Sequence, residues 1–421
     1  MDSCDSRRAP TSAKPIPADQ TRPSAWTTPA AALLAAGPSQ ASNSLPGPLP
    51  EREDYCWQPG RRYGLQFGAP AHGYRVNSML DPQSRMPLAS SPGTGLAGGA
   101  AMRLWAMLSR RLEWTVAGGL AGCAVARLTA ADRHRVLERP AAPLLSFTPQ
   151  AAAGAWLGAL LLRGRGPSAT AALAGAALTA AVAPRAVRRR QPGVGGPALR
   201  VLTVNLLVGR AAEDAVVGLV RKTGADVLFL QELTDDSVTR LKRAGLNDLL
   251  PNEMTDVRGD SARGSGIYAR YPLGEGLVIA PTTVAQPTAR LDLPSGRSVQ
   301  LVCVHIHPPH PPWSRRMTVR WRREMSVLPP PGDDPVILAG DFNATFDHAQ
   351  FRRLLRRGYA DAASQFGKGL TPTWRIDPRR PALLTIDHVL FDPRCAVRAT
   401  SVLPMPGSDH RAVYAEFRLP A

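Results

Sequence analysis

The stretch LAGDFNATFD, residues 338–347, ends an apolar run at Gly340 and then sets an acid, Asp341, and an amide, Asn343, two residues apart. Asp and Asn often close strands because their side chains bond nearby backbone and make turns, so the pair alone carries no chemistry. The pattern repeats along the C-terminal half. LTVNLL brings Asn205, LFLQEL brings Glu232, and LVCVHIHPP brings His305. TIDHVLF then brings Asp387, and GSDHRAV brings Asp409 and His410. One polar strand end is a turn, but several converging from one sandwich are costly, because buried carboxylates without partners lose their hydration.

A divalent cation removes that cost. Mg²⁺ takes one or two carboxylates together with amide oxygen, water and substrate phosphate, and Asn205, Glu232 and Asp409 supply those ligand types. His410 and Asp387 suggest the other half of the chemistry. An imidazole held by a carboxylate is fixed in tautomer and made more basic, and it can take a proton from an attacking water. Asn343 and His305 could then bond the negative charge that develops on a phosphoryl oxygen.

These residues need strands to carry them. ALRVLTVNLLVG is a β-branched apolar run that reads as a central strand, and ADVLFLQEL reads as a second. GSGIYARYPL, RLDLPSGRSVQLVCVHIH, DPVILAGDFN, LLTIDHVLFD and HRAVYAEFRL add further strands. AAEDAVVGLVRKTG has helical spacing and stops at Gly224, and DHAQFRRLLRRG is a helix ending in Gly358. Strands and helices mix without strict βαβ alternation, which predicts a layered α/β sandwich of mixed sheets over about 220 residues.

In this order the motifs LTVNLL, FLQEL, VHIHPP, LAGDFNA, TPTW, TIDHVLF and GSDHRAV resemble the endonuclease/exonuclease/phosphatase superfamily, the deoxyribonuclease-I-like fold. The resemblance covers residues 199–420. It implies a four-layer α/β/β/α sandwich and a metal-dependent phosphoesterase. It implies Asn205 and Glu232 as ligands of Mg²⁺ (or Mn²⁺), with Asp409 near the metal. Asp341 and Asn343 fall at the scissile phosphate, His305 on a phosphate oxygen, and Asp387 with His410 as the proton-handling pair. The substrate implied is a phosphoester of a nucleic acid, an inositol phosphate or a phospholipid head group, by water attack in line. A nuclease and a non-catalytic phosphate-binding module are the alternatives. No protein partner can be inferred. Leu206 and Leu207 stand where endonuclease members often carry an acid, and His307 and His310 compete with His305 for the phosphate contact. Trp374 is expected to pack beneath the site, and His388 to be structural. Trp313 and Trp321 lie in a basic stretch that is either a phosphate-gripping edge or a helix face anchored by two tryptophans.

The rest of the chain differs in composition. Residues 1–100 are rich in Pro, Ala, Ser and Gly without sustained periodicity, and they cannot bury enough apolar area to offset chain entropy. They are expected to be disordered, and no secretory signal pattern is visible. Residues 103–187 carry uncharged apolar runs: 114–126, 143–162 and 167–184. Arginine clusters flank them. A bilayer-spanning helix needs about 20 apolar residues, so these runs are expected to be membrane helices, placing the protein in the cell membrane as a multi-pass chain. Three spans from a cytoplasmic N-terminus put the catalytic region outside the cytoplasm, although Arg188–Arg190 argue the other way. Residues 188–198 read as a linker to the catalytic region 199–421. The formal net charge is +18, and two thirds of it lies before residue 200. The five cysteines form no CxxC pair, which argues against a zinc site or a disulfide scaffold.

Overall fold

The computed structural model describes residues 94–134, 136–309, 314–377 and 379–421, with side chains from Met102 onward. Expectations for residues 1–93, His310 and Trp313 lie outside the described residues. Helix α1 begins at Thr94.

The N-terminal helices are α1 (Thr94–Thr129), α2 (Glu138–Ser146), α3 (Thr148–Leu161) and α4 (Arg165–Val182). The chain continues through β1 (Ala198–Asn205), α5 (Glu213–Thr223), β2 (Val227–Gln231), α6 (Asp235–Arg243) and α7 (Leu246–Leu249). Then come β3 (Asn252–Asp256), β4 (Ser265–Ala269), β5 (Leu273–Val278), β6 (Pro287–Asp292) and β7 (Ser298–His305). The last elements are α8 (Arg315–Ser326), β8 (Val336–Asp341), α9 (Ala349–Leu355), β9 (Ala360–Asp361), α10 (Ala362–Gln365), β10 (Asp387–Phe391), β11 (Ala396–Leu403) and β12 (Ala412–Arg418).

Local chemistry sets the helix ends. In α5, Glu213 and Asp214 lie in the first turn and Arg221 and Lys222 in the last, each complementing the helix dipole, and Gly224 at φ +60° closes the helix in the left-handed region. Thr234 and Ser237 form a reciprocal capping box that starts α6.

Two six-stranded mixed sheets, ordered β11-β12-β1-β2-β4-β3 and β5-β6-β7-β8-β10-β9, pack face to face. Period-2 alternation decides what each residue covers. Leu199 and Val201 of β1 point into the core between the sheets, with Phe229, Leu301, Ile337 and Phe417. Leu202 and Val204 point outward, under Val216 and Val220 of α5. On the other side, Val302, Val304 and Leu338 lie beneath Trp321 of α8 and Phe351 of α9. Both faces of the central strands are therefore buried, which explains their unbroken apolar runs. The four-layer α/β/β/α sandwich expected from the sequence is the fold observed. Trp321 is fully buried and meets His348 edge-on, so it is a core anchor.

The N-terminal helices correct one expectation. The run 143–162 is two helices, α2 and α3, meeting at 75° rather than one straight span. Among the described residues one helix, Arg165–Arg185, is long and apolar enough to cross a membrane, or two if the bent pair counts as one span. That is fewer than the three runs read from the sequence. The first run lies inside α1, whose preceding turns carry Arg103, Arg110, Arg111 and Glu113. α1, α3 and α4 pack through small residues, Ala124, Ala152, Ala155 and Ala174, around Leu178. Residues 188–197 have no regular structure but lie along the sandwich. Arg189 N donates to Gln365 O at 2.9 Å, and Gly196 N to Leu419 O at 3.1 Å.

Candidate active site

Strand register brings the polar strand ends together. β1 and β2 are parallel, with Asn205 opposite Gln231, so the next residue, Glu232, leaves the same sheet edge. β7 and β8 are also parallel, with His305 opposite Asp341. Asp341 is in turn opposite Asp387, because β10 is antiparallel to β8 and begins where β8 ends. β12 is antiparallel to β1 and starts two residues after His410, at that same edge. Two parallel pairs thus supply carboxyl ends, and their antiparallel neighbours supply amino ends. Carboxyl ends of strands are where open α/β sheets bind ligands.

Backbone strain marks the edge. Glu232 has φ +55° and Asn343 φ +45°, both in the left-handed region that non-glycine residues avoid. Gly340, at φ +148°, admits no side chain: a Cβ there would stand 1.8 Å from Val304 O. Only glycine lets β8 approach β7 this closely just before Asp341.

His410, Asp387 and Asp341 form a buried cluster. His410 Nδ1 lies 3.0 Å from each oxygen of Asp387, so Nδ1–H donates to that carboxylate. Nε2 faces Asp341 Oδ2 at 3.8 Å and Asp409 Oδ1 at 3.9 Å. Burial pulls the imidazole pKa down, but Asp387, Asp341 and Asp409 outweigh it and carry it up to about 10. The pull of these carboxylates favours the protonated form of the ring. Burial raises the Asp341 pKa, the charges of Asp387 and Glu232 add to the rise, and His410 opposes it.

Asn343 follows in the turn. Its backbone N–H donates to Asp341 Oδ1 at 2.8 Å, and its Nδ2 donates to Ile306 O at 2.8 Å. His305 is buried, and burial lowers its pKa to about 3, with His307 and His410 adding to the fall. It is a neutral ring, and its Nδ1 makes no hydrogen bond among the described residues. A neutral ring can still donate one N–H to a phosphate oxygen.

The residues read as metal ligands divide into two roles. Glu232 accepts from Asn205 Nδ2 at 3.1 Å and from Val208 N at 2.8 Å. Burial raises its pKa, with Asp409 adding and His410, Asn205 and Val208 opposing. Asp409 Oδ2 accepts from Trp374 Nε1 at 3.1 Å, while its buried Oδ1 has no hydrogen-bond partner. Four carboxyl groups, Asp341, Asp387, Asp409 and Glu232, surround one imidazole, and the orphaned oxygen of Asp409 lies among them. Among the described residues, Asp341, Asp387 and His410 offer ligand atoms within 4.8 Å of one another, close enough to hold a metal ion, and Glu232 and Asp409 are carboxylates of the kind a hard divalent cation takes. Asn205 is placed differently. Its Nδ2 also donates to Asp341 Oδ2 at 3.2 Å, and its Oδ1 accepts from Leu207 N at 2.9 Å. Asn205 therefore links the two carboxylates through Nδ2, and its Oδ1 accepts one hydrogen bond.

Further residues hold the site. Thr373 Oγ1 accepts the backbone N–H of Ile386 and of Asp387, each at 3.1 Å, and so fixes the start of β10. Ser408 Oγ donates to Asn205 O at 2.8 Å and accepts from His410 N at 3.0 Å, tying the His410 turn to β1. Buried Gln231 joins the sheets, accepting from Thr203 Oγ1 and donating to Cys303 Sγ. Sequence reading missed Thr373, Ser408 and Gln231 as site residues, although TPTW, GSDH and FLQEL display them. Trp374, read as packing beneath the site, also donates to Asp409. His388 is structural as expected, bonded to Asp361 and to Ala344 O.

A family model described as the Endonuclease/Exonuclease/phosphatase family matches residues 202–410. No curated protein matches the chain. Among solved structures, an endonuclease/exonuclease/phosphatase from Beutenbergia cavernae is 20% identical, with 53% of this chain and 72% of that one covered and a TM-score of 0.43. D. rerio TDP2 complexed with a single-strand DNA product is 19% identical over 52% of this chain and 99% of that one, TM-score 0.43. Sphingomyelinase C from Streptomyces griseocarneus is 17% identical over 52% and 99%, TM-score 0.38.

Proposed function

Since residues 202–410 belong to the endonuclease/exonuclease/phosphatase family, we propose that this chain is a divalent-metal-dependent hydrolase of phosphoester bonds, with Mg²⁺ as its working ion. The observation that carries the reading is the buried His410, bound through Nδ1 to both oxygens of Asp387, with Nε2 free to face a substrate between Asp341 and Asp409. A module that only bound phosphate would have no need of an imidazole oriented in this way by a carboxylate.

Phosphoryl transfer is mostly positioning and charge stabilisation. A cation held by Glu232 and Asp409 would neutralise charge on the phosphoryl oxygens. Asp341 has a raised pKa and bonds to Asn343 and Asn205, so it orients and deprotonates the attacking water; a base whose pKa lies near the working pH is the effective one. His410, held protonated by three carboxylates, donates Nε2–H to the phosphoryl group and can protonate the leaving oxygen. Asp387 keeps that ring in one tautomer. His305 and Asn343 complete the hydrogen bonds around the phosphate.

The substrate reading is a phosphodiester or phosphomonoester, with lipid head groups favoured if the helices enter a bilayer. Met102, Trp105, Leu112, Trp114, Trp156 and Leu160 are exposed on α1 and α3, more than scattered surface apolar residues account for. They support a cell-membrane location, and we retain an extracytoplasmic catalytic region as the orientation to test. The full chain is expected to sediment with membranes, and its recovery in the supernatant after ultracentrifugation would favour a soluble helical hairpin. For the substrate, the full chain with Mg²⁺ is assayed against plasmid DNA, a phosphoinositide and sphingomyelin. Release of phosphate or head group from a lipid is expected. Turnover of plasmid DNA alone would replace the lipid reading with the nuclease one.

A further inference from the structure

The loop from β8 to α9, residues 342–348, carries Asn343 and is held by residues that precede the matched segment. Arg127, near the end of α1, donates Nε–H to Asp347 Oδ1 at 2.6 Å. Arg185, beyond the end of α4, donates to Asp347 Oδ2 at 2.8 Å and to Oδ1 at 2.5 Å. The same guanidinium stands over the Phe346 ring, 5.1 Å from its centroid. Asp347 is fully buried. Burial opposes its charge, yet Arg185 and Arg127 hold its pKa below the ordinary carboxylate value. Arg352 of α9 bonds the Asp347 carbonyl, not its carboxylate.

Two more ties run the same way. His348 accepts from Thr345 N at 2.9 Å through Nδ1 and donates through Nε2 to Ala142 O of α2 at 2.8 Å. Asp132 Oδ2, between α1 and α2, accepts Ala349 N at 2.6 Å. At its other end the loop meets the site: Ala344 O accepts from His388, the neighbour of Asp387, and Asn343 bonds Asp341. A buried carboxylate whose charge is balanced from outside its own domain makes the loop depend on that outside contact.

We propose that Arg127 and Arg185 are positioning residues for the phosphoester site: through Asp347 they set the β8–α9 loop and thereby Asn343, so that hydrolysis by the C-terminal sandwich requires the docked N-terminal helices. This rests on the reading of Asn343 as a group that touches substrate. Misplacing a catalytic group by about 1 Å costs about 10²-fold in rate.

The test uses the full chain with Arg127→Gln/Arg185→Gln, Asp347→Asn and Arg185→Lys. Turnover of bis-p-nitrophenyl phosphate and hydrogen exchange are both measured. In the double variant kcat is expected to fall about 10²-fold, with KM within about threefold, because the loss is in transition-state contacts. Asp347→Asn, which keeps the shape and removes the charge, is expected to fall in the same direction, and Arg185→Lys to retain part of the activity. Exchange over 342–348 is expected to rise while β2 and β12 stay protected. Wild-type kcat in the double variant, or exchange that rises equally throughout the sandwich, would overturn the positioning role. If the wild-type chain hydrolyses nothing, the functional reading fails by itself, and exchange over 342–348 still decides the coupling: a local rise supports it and unchanged protection refutes it.

Discussion

Replacing His410 with Ala is expected to lower kcat by about 10²–10⁴-fold, the range associated with losing a positioned acid or base or a donor to a developing charge. The magnitude follows from geometry, since Nε2 is the one imidazole atom left to face substrate while Nδ1 is committed to Asp387. KM should move far less, because His305, Asn343 and the metal ligands remain. Asp387→Asn should act in the same direction, and the double variant should be no worse than the worse single one, since the two side chains act as a unit. Asp387 also raises the His410 pKa. Neutralising it lowers that pKa, so the alkaline limb of the kcat profile should move to lower pH in Asp387→Asn. His410→Ala leaves Asp341 and Asp387 buried without their counter-charge, which destabilises by about 3–5 kcal/mol. His410→Gln, which keeps a donor, separates lost folding from lost chemistry through its denaturation midpoint. Near-wild-type kcat in either variant, or losses that simply multiply, would leave Asp341 as the sole proton-handling group.

Glu232→Gln is expected to cost about 10²-fold or more in kcat/KM, as loss of a direct ligand exceeds the 10–100-fold typical of outer contacts. Gln has one acceptor where Glu232 satisfies two donors, Asn205 Nδ2 and Val208 N. One donor is then unpaired, at about 1–3 kcal/mol, so the variant should fold with a lowered melting temperature. The distinguishing readout is the metal response. At about 100 times its Kd a ligand stabilises the native state by about 2.7 kcal/mol, so Mg²⁺ should raise the melting temperature of the wild type and not of Glu232→Gln. Equal shifts in both would remove Glu232 from the metal site.

Much of this site could be read from strand ends. LTVNLL, FLQEL and LAGDFNA are apolar runs with a polar residue at a fixed end, and a parallel pairing turns that one-dimensional pattern into a shared edge. The layers were legible for the same reason: residues such as Val201 and Leu202 are apolar on both strand faces, which requires cover on both. What stayed hidden depends on side-chain orientation. Asn205 is an amide in any reading, but whether it offers oxygen or N–H is decided by Leu207 N and the two carboxylates it meets. The His410 charge depends on three acids from distant segments converging on one ring. The Arg127–Asp347–Arg185 contact spans 220 and 162 residues, a separation at which no periodicity carries a signal. The bend at Phe147 did have a signal, Pro149 in the first turn of α3, which the run's lack of charge overshadowed.

The central claim is metal-dependent hydrolysis at the Glu232–Asp341–His410 edge. Its most direct test is release of nitrophenolate from bis-p-nitrophenyl phosphate by the full chain, first in excess EDTA and then after Mg²⁺ or Mn²⁺ is restored. Release is expected to stop with the chelator and to return with the ion. Undiminished release in EDTA, or none with either ion, would contradict the claim.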